Sequence, residues 1–285
     1  MILSSFLAKR RNKLQVPKLI HSTSRFPLDP CVAKNWTNIQ KTNPDFSFRA
    51  YCDTDIYSYI ESRWGQNLLS IYELINPEYI VARTDLWRYL IIYDRGGIYL
   101  DDKSGPRVPF TRIIQPNDEL ILTTWNMNCD RWIDSHGHID GEFAQWCLIA
   151  RPRHPLIKAV IIEVICRILA ADKSVYGKFG VISTTGPLAF TDALLNSMEK
   201  YSSICRIEKN SYSKRVYFNA ISKSLRITKA HHGLRVPEHN YRLLSTPLTS
   251  ESMSSILAQV KLSGDSISFA EDILADFNRL NPLSK

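Results

Sequence analysis

The stretch from Pro77 to Ser104 constrains this chain more than any other part of it. Pro77 suits the first turn of a helix, the run to Tyr93 is apolar at helical spacing, and Gly96-Gly97 stand just past its end. Behind the glycines, Ile98-Tyr99-Leu100 reads as a short buried strand that ends at Asp101-Asp102. A helix turned straight back into a buried strand is the grammar of an α/β sheet, and ligands of such sheets sit at the carboxyl ends of the strands. Asp85 and Arg88 are three apart and share a helix face that the Gly-Gly turn can bring towards the two aspartates. Asp-Arg pairs in α/β proteins often only hold elements together. Beside strand-end aspartates the pair also suits chemistry, because carboxylates can hold a divalent cation and the cation can neutralise a diphosphate.

The flanking pattern extends the same architecture. Val16 to Ile20 is a short strand ending at His21, and Asp29 to Thr42 is a helix with Val32, Trp36 and Ile39 on one face. Phe46 to Tyr51 alternates as a strand, and Asp53 opens a helix through Ile60. Leu120 to Trp125, Phe143 to Ala150 and Ser224 to Lys229 read as strands, and Leu156 to Ala171 as a core helix too short and too charged to cross a bilayer. With 44% hydrophobic and 22% charged residues, disorder, collagen-like repeats and coiled coil are excluded. The 285 residues are expected to form a single domain, 1–285. The six cysteines form no C-x-x-C pair and read as reduced thiols. In MILSSFLAKRRNKLQ the apolar run precedes the charges, the reverse of a secretory signal, so the expected setting is cytoplasmic. The five cations up to Lys18, with Ile2, Leu3, Phe6 and Leu7, leave two readings open: peripheral contact with an anionic membrane, or a solvated terminus. The segment 206–242 carries nine Lys or Arg against two Glu, nearly the whole net charge of +8.

The residues VPKLIH, NPDFSFRAY, ARTDLWRYLIIYDRGG and IYLDD, in that order and spacing, resemble the glycosyltransferases with a DXD sugar-binding motif that include the yeast Och1-type mannosyltransferases. The resemblance implies a GT-A type fold, a Rossmann-like, mostly parallel central sheet flanked by helices. It also implies donor contacts through Asp85 and Arg88, a first DXD aspartate at Asp101, and nucleotide binding near His21 and Ser22. Two positions depart from the pattern: Lys103 stands where the second DXD aspartate belongs, and Ser24 where a tryptophan is usual. Either Asp101 and Asp102 hold a Mn²⁺ or Mg²⁺ ion with help from elsewhere, or the Lys103 ammonium itself faces the diphosphate. Exchanging carboxylate for ammonium moves the local charge by two units, each worth about 4 kcal/mol at 4 Å for an effective dielectric of ~20, so the exchange alters the site.

GEFAQWCLIARPRHP (141–155) and TTGPLAFTDAL (184–194) resemble capsule- and glycan-related members of the family. By that likeness Glu142 stands beside the acceptor or the transferred sugar, with a surface glutamate as the alternative. Thr185-Gly186-Pro187 reads as a turn and helix start serving packing, with phosphate binding as the alternative. In His231-His232, His232 resembles a histidine that helps hold the metal or diphosphate. His154, in RPRHP, reads as a turn before a helix.

The expected function is transfer of a sugar from a UDP- or GDP-sugar to a glycan or lipid-linked acceptor, with retention of configuration implied by the resemblance. The basic segment 206–242 would lie on the acceptor side. A basic binding module for membrane or nucleic acid is a second class, but no nucleic-acid motif is present and such a module has no use for Asp101-Asp102. A metal-dependent phosphohydrolase is a third; it lacks an Asp-x-Asp-x-Thr signature and gives Asp85 and Arg88 no task.

Overall fold

A computed structural model describes residues 14–24, 28–102, 104–106, 108–124, 142–201, 205–213, 216–219, 227–229, 240–250, 256, 260 and 263–282. In chain order the described elements are β1 (Leu19–Thr23), α1 (Pro30–Thr42), β2 (Ser47–Tyr51), α2 (Asp53–Trp64), α3 (Gln66–Leu74), α4 (Ile80–Arg95), β3 (Gly97–Asp101) and β4 (Ser104–Pro106). After them come β5 (Leu120–Thr124), β6 (Cys147–Ala150), α5 (Pro155–Ala170), α6 (Gly177–Thr184), α7 (Pro187–Tyr201), β7 (Arg206–Ser213), β8 (Val216–Asn219), β9 (Ile227–Lys229) and α8 (Ser266–Leu280).

Among the described residues seven strands form one sheet in the order β2-β1-β3-β6-β5-β7-β8, and β4 pairs with β9 in a separate two-stranded ladder. β1, β2, β3, β5 and β7 run one way; β6 and β8 run against them. The sheet is thus mixed around a parallel majority, as expected of an α/β fold. Residues of β3 alternate between its faces: Ile98 and Leu100 join the core that contains Val32, Trp36 and Ile39 of α1, and Tyr99 joins the larger core built on α2 to α5, α7 and α8. Burial on both faces is what lets a strand this short be almost wholly apolar.

Local chemistry sets the element ends. The Asp29 carboxylate accepts from the N–H groups of Cys31 (2.7 Å) and Val32 (3.3 Å), and Pro30 opens α1. Pro77 lies in a turn rather than in the helix, because the Asn76 side chain accepts from Glu78 N–H at 3.0 Å and holds the chain back until Ile80. β1 runs three residues beyond the expected Ile20: His21, Ser22 and Thr23 stay in register with both β2 and β3. Of the expected strand Phe143 to Ala150, only Cys147–Ala150 pairs continuously with β3. Before it, Ala144 N–H bonds Thr123 O (2.7 Å) and Phe143 N–H bonds the Thr191 hydroxyl (2.9 Å).

The α4–β3 turn depends on its glycines. Gly96 and Gly97 have φ of +63° and +95°, and a Cβ on Gly97 would lie 2.5 Å from the carbonyl oxygen of Leu19 in the neighbouring strand. Gly97→Ala is expected to lower the unfolding free energy by more than about 2 kcal/mol, through left-handed strain and the displaced β1–β3 pairing together. Urea denaturation of the variant against the wild type measures it.

Candidate active site

The site is assembled at the carboxyl end of β3 from two residues of α4 and two of the strand end. α4 is buried along most of its inner length, with Leu86, Trp87, Tyr89, Leu90, Ile91 and Ile92 fully enclosed, so the helix is fixed before any polar group on it is considered. One turn apart on that helix, Asp85 and Arg88 are 1% and 4% exposed. Arg88 Nη2 lies 3.0 Å from Asp85 Oδ1 and 3.2 Å from Asp101 Oδ1. Arg88 Nη1 donates to the Gln145 carbonyl at 3.2 Å, and the guanidinium stands 5.0 Å from the centre of the Tyr99 ring. Asp101 is fixed in turn by its own N–H, which donates to Trp146 O at 3.0 Å.

Asp85 is held on all sides. Gln145 Nε2 donates to its Oδ1 at 3.0 Å, and the Thr185 hydroxyl donates to its Oδ2 at 3.1 Å. Tyr89 donates its hydroxyl to Gln145 Oε1 and lies 2.9 Å from Thr185 O. Burial pushes the Tyr89 and Tyr99 hydroxyls above their ordinary pKa, so both act as neutral phenols. Burial works against the charge on Arg88, but the Asp101 and Asp85 carboxylates outweigh it and raise its pKa. The guanidinium is therefore a permanent cation, oriented by one carboxylate that is nearly inaccessible and presented to another, Asp101, whose side chain is 19% exposed. Removing either carboxylate would leave the buried guanidinium with one counter-charge, and removing both would leave it with neither, the costly case for a buried charge.

The adjoining strand end is stiffened separately. Asn35 of α1 donates through Nδ2 to the carbonyls of Asp102 (2.9 Å) and Ser104 (3.0 Å), so the backbone on either side of position 103 is tied to α1. Asp102 is partly exposed. His21 is buried beside β3, with Nδ1 3.1 Å from the Tyr51 hydroxyl and Nε2 3.1 Å from Gly96 O; one neutral tautomer, protonated at Nε2, satisfies both contacts. Ser22 is fully buried and donates to Leu100 O at 2.8 Å, and Thr23 Oγ1 lies 3.0 Å from the Tyr99 hydroxyl. The expected nucleotide contacts of His21 and Ser22 thus find side chains already engaged by protein groups, and what those side chains visibly do is lock β1 to the Gly-Gly turn and β3.

Glu142 is partly exposed, three residues ahead of Gln145 in the segment pinned by Phe143 and Ala144. The packing reading of Thr185-Gly186-Pro187 describes what is seen: Thr185 is fully buried against Asp85, and a Cβ on Gly186 would lie 2.7 Å from Ile182 Cα. Lys103, His231 and His232 lie outside the described residues, and no group of three or more His, Cys, Asp and Glu gathers as a metal site among the described ones. His154 caps α5, its Nδ1 accepting from Leu156 N–H at 3.2 Å. Gln145 and Asn35 escaped the sequence reading. For Gln145 there was a signal, a lone amide in the apolar run from Phe143 to Ala150; Asn35 sits on a helix face where an amide is ordinary.

Residues 30–120, from α1 to the start of β5, match the glycosyltransferase sugar-binding region containing the DXD motif. The initiation-specific alpha-1,6-mannosyltransferase of Schizosaccharomyces pombe is 28% identical over 197 residues, covering 64% of this chain and 48% of that protein. Its namesake in Candida albicans is 26% identical over 220 residues, covering 68% of this chain and 56% of that protein. The chain therefore spans about half the length of these curated relatives. Among solved structures, PaToxG glycosyltransferase superposes with a TM-score of 0.51 at 17% identity, over 66% of this chain and 73% of that one. The fold is of the GT-A glycosyltransferase type, and Asp85, Arg88, Asp101 and Asp102 lie inside the residues that match the sugar-binding region.

The His21 geometry carries a pH dependence. Burial lowers its pKa from 6.5 to about 4, partly opposed by the bond to Gly96 O. The unfolded chain therefore binds the proton more readily, so the contribution is whole above pH 6.5 and is lost as pH falls towards 4. Chemical denaturation across that window is expected to show about 3 kcal/mol of this loss in the wild type. A flatter slope is expected in His21→Gln.

Proposed function

We propose that the chain transfers a sugar from a nucleotide-sugar donor to an acceptor hydroxyl. The observation that carries this reading is Arg88 held between Asp85 and Asp101 at the end of a parallel strand, within the matched sugar-binding region. The leaving group of such a reaction is a nucleoside diphosphate, whose negative charge grows as the anomeric bond breaks. A fixed cation beside that point lowers the barrier without reorganising during the reaction, commonly the largest single contribution to such catalysis.

In this mechanism Arg88 lends positive charge at the diphosphate, and Asp85, with Gln145 and Thr185 behind it, keeps the guanidinium from turning away. Asp101 and Asp102 are hard oxygen donors on consecutive residues of one strand end, a set that suits Mg²⁺ or Mn²⁺ when diphosphate oxygens complete the shell. A cation bound there would neutralise charge on the leaving group. The backbone clamp from Asn35 holds these carboxylates in place. Glu142 is the carboxylate assigned to the acceptor or transferred sugar, and Lys103 and His232 remain proposed contributors at the diphosphate. The acceptor is a glycan or a lipid-linked saccharide, and the transfer retains configuration, as in the family the chain resembles; a role in capsule or other polysaccharide synthesis belongs to the same reading.

The test is release of nucleoside diphosphate from a panel of UDP- and GDP-sugars, with saccharide acceptors and Mn²⁺ or Mg²⁺ present. Arg88→Lys and Asp102→Asn are expected to cut turnover about 100-fold or more, with folded structure checked by circular dichroism. Wild-type turnover in Arg88→Lys would overturn the reading. Release of inorganic phosphate without any sugar transfer would replace it with phosphohydrolysis.

A further inference from the structure

Gln145 touches both halves of the Asp85–Arg88 pair, one through its side chain and the other through its backbone. Its Nε2 donates to Asp85 Oδ1 at 3.0 Å, and its carbonyl accepts from Arg88 Nη1 at 3.2 Å. The next residue reaches the strand end as well, because Trp146 O accepts from Asp101 N–H at 3.0 Å. Two consecutive residues thus bond α4 and the end of β3 together while belonging to neither.

The segment is fixed on both sides. Before it, Phe143 N–H donates to Thr191 Oγ1 at 2.9 Å and Ala144 N–H to Thr123 O at 2.7 Å. After it, Cys147 pairs with Leu100 in the sheet. The direction of the side-chain amide is fixed too. An ionised Asp85 only accepts, so it takes the NH₂ end, and the Tyr89 hydroxyl donates to the Oε1 end. Reversing the amide would set two oxygens against each other at Asp85. Tyr89 is itself held by stacking on Phe190 of α7, with ring centres 5.5 Å apart and planes 4° from parallel. Gln145 is buried, so an amide that lost Tyr89 would not recover the bond from bulk solvent.

The carbonyl bond selects how the guanidinium faces a ligand. Arginine has five N–H groups in one plane. Nη2 of Arg88 lies within bonding distance of both Asp85 and Asp101, Nη1 gives one proton to Gln145 O, and Nε is enclosed without a partner. The second N–H of Nη1 is left uncommitted, and turning the guanidinium away from Gln145 O would redirect it.

We propose that Gln145 is a positioning residue for Arg88: its amide, held in one orientation by Tyr89, and its backbone carbonyl together aim the uncommitted Nη1 N–H at the donor diphosphate. This role rests on the transferase reading and adds to it a residue that acts without touching the donor. Asp85 supplies the counter-charge; Gln145 supplies the direction.

The experiment is calorimetric titration with a nucleoside diphosphate, UDP or GDP, at about pH 5.5 and about pH 8, each variant being compared with the wild type at the same pH. Gln145→Glu keeps the shape of the side chain but makes its donor depend on a proton. Around that position stand Asp85, Arg88 and Tyr89 of α4, with Asp101 and Tyr99 of β3 across the guanidinium. Beside Asp85 and out of water, the introduced carboxyl is expected to keep its proton to higher pH than an ordinary glutamate. Protonated, it donates to Asp85 as the amide does; ionised, it sets a second negative charge against Asp85 and draws Arg88 out of place. The expected result is affinity within about threefold of the wild type at the lower pH and a loss of about tenfold or more at the higher. Tyr89→Phe keeps the stacking and removes only the donor, and it is expected to weaken binding about fivefold or more at both pH values, with circular dichroism matching the wild type. An equal change at the two pH values in Gln145→Glu would overturn the proposal, because a packing role has no proton to follow. Wild-type affinity in Tyr89→Phe would overturn it too, and that variant decides the case alone if Gln145→Glu does not fold. Failure of the wild type to bind either diphosphate would overturn the transferase reading and this role together, so the wild type tells the two failures apart.

Discussion

The arrangement at the sheet's carboxyl edge depends on a single guanidinium. Arg88 is enclosed in the protein, and its charge is tolerable there only because Asp85 and Asp101 stand at 3.0 and 3.2 Å. Each neighbour has its own support. Gln145 and Thr185 hold Asp85, and Tyr89 ties those two together; the β3 backbone and Trp146 hold Asp101. Three remote parts of the chain, α4, the segment before β6 and the α6–α7 turn, thus meet at one carboxylate. A network that engages both guanidinium Nη atoms and both oxygens of Asp85 fixes one geometry, which the proposed role of Arg88 requires.

The backbone that carries this network is equally committed. Gly96 and Gly97 bring the end of α4 back into β3 through a turn that a side chain would obstruct, and His21 bonds Gly96 O from the next strand. Asn35 does the same service on the other face of the sheet by tying Asp102 and Ser104 to α1. The helix carrying Arg88 and the strand carrying Asp101 are therefore positioned by neighbours that do not themselves need to reach a ligand.

Much of this was legible in the sequence. The apolar face of α1, the Gly-Gly stop, the apolar β3 and the aspartates behind it are local signals, and local signals survive reading one residue at a time. Asp85 and Arg88 were visible as a pair because helical spacing puts them on one face. The partners that complete the site were not, since Gln145 lies 60 residues from Asp85 and Thr185 lies 100, and no short-range pattern announces a contact made by folding. His21 shows the opposite difficulty: a histidine at a strand end looks available, and only the positions of Tyr51 and Gly96 reveal that both ring nitrogens are engaged. α3 and α8 are absent from the sequence expectations, although Asp265 caps α8 and Phe269, Ile273 and Phe277 recur on one face; in the folded chain, stacking of Trp64 on Phe277 and the contacts of Arg153 with Asn281 O and the Phe277 ring hold α8 in place.

The central claim is that Asp85 acts through Arg88, which it holds ready for a diphosphate. Calorimetric titration of the wild type and Asp85→Asn with a nucleoside diphosphate, UDP or GDP, and with the corresponding nucleotide sugar tests it most directly. The account predicts that Asp85→Asn weakens both ligands by the same factor, about tenfold or more, because the guanidinium that meets the diphosphate has lost its anchor. A loss confined to the nucleotide sugar, with diphosphate binding intact, would contradict the account and make Asp85 a direct contact of the sugar.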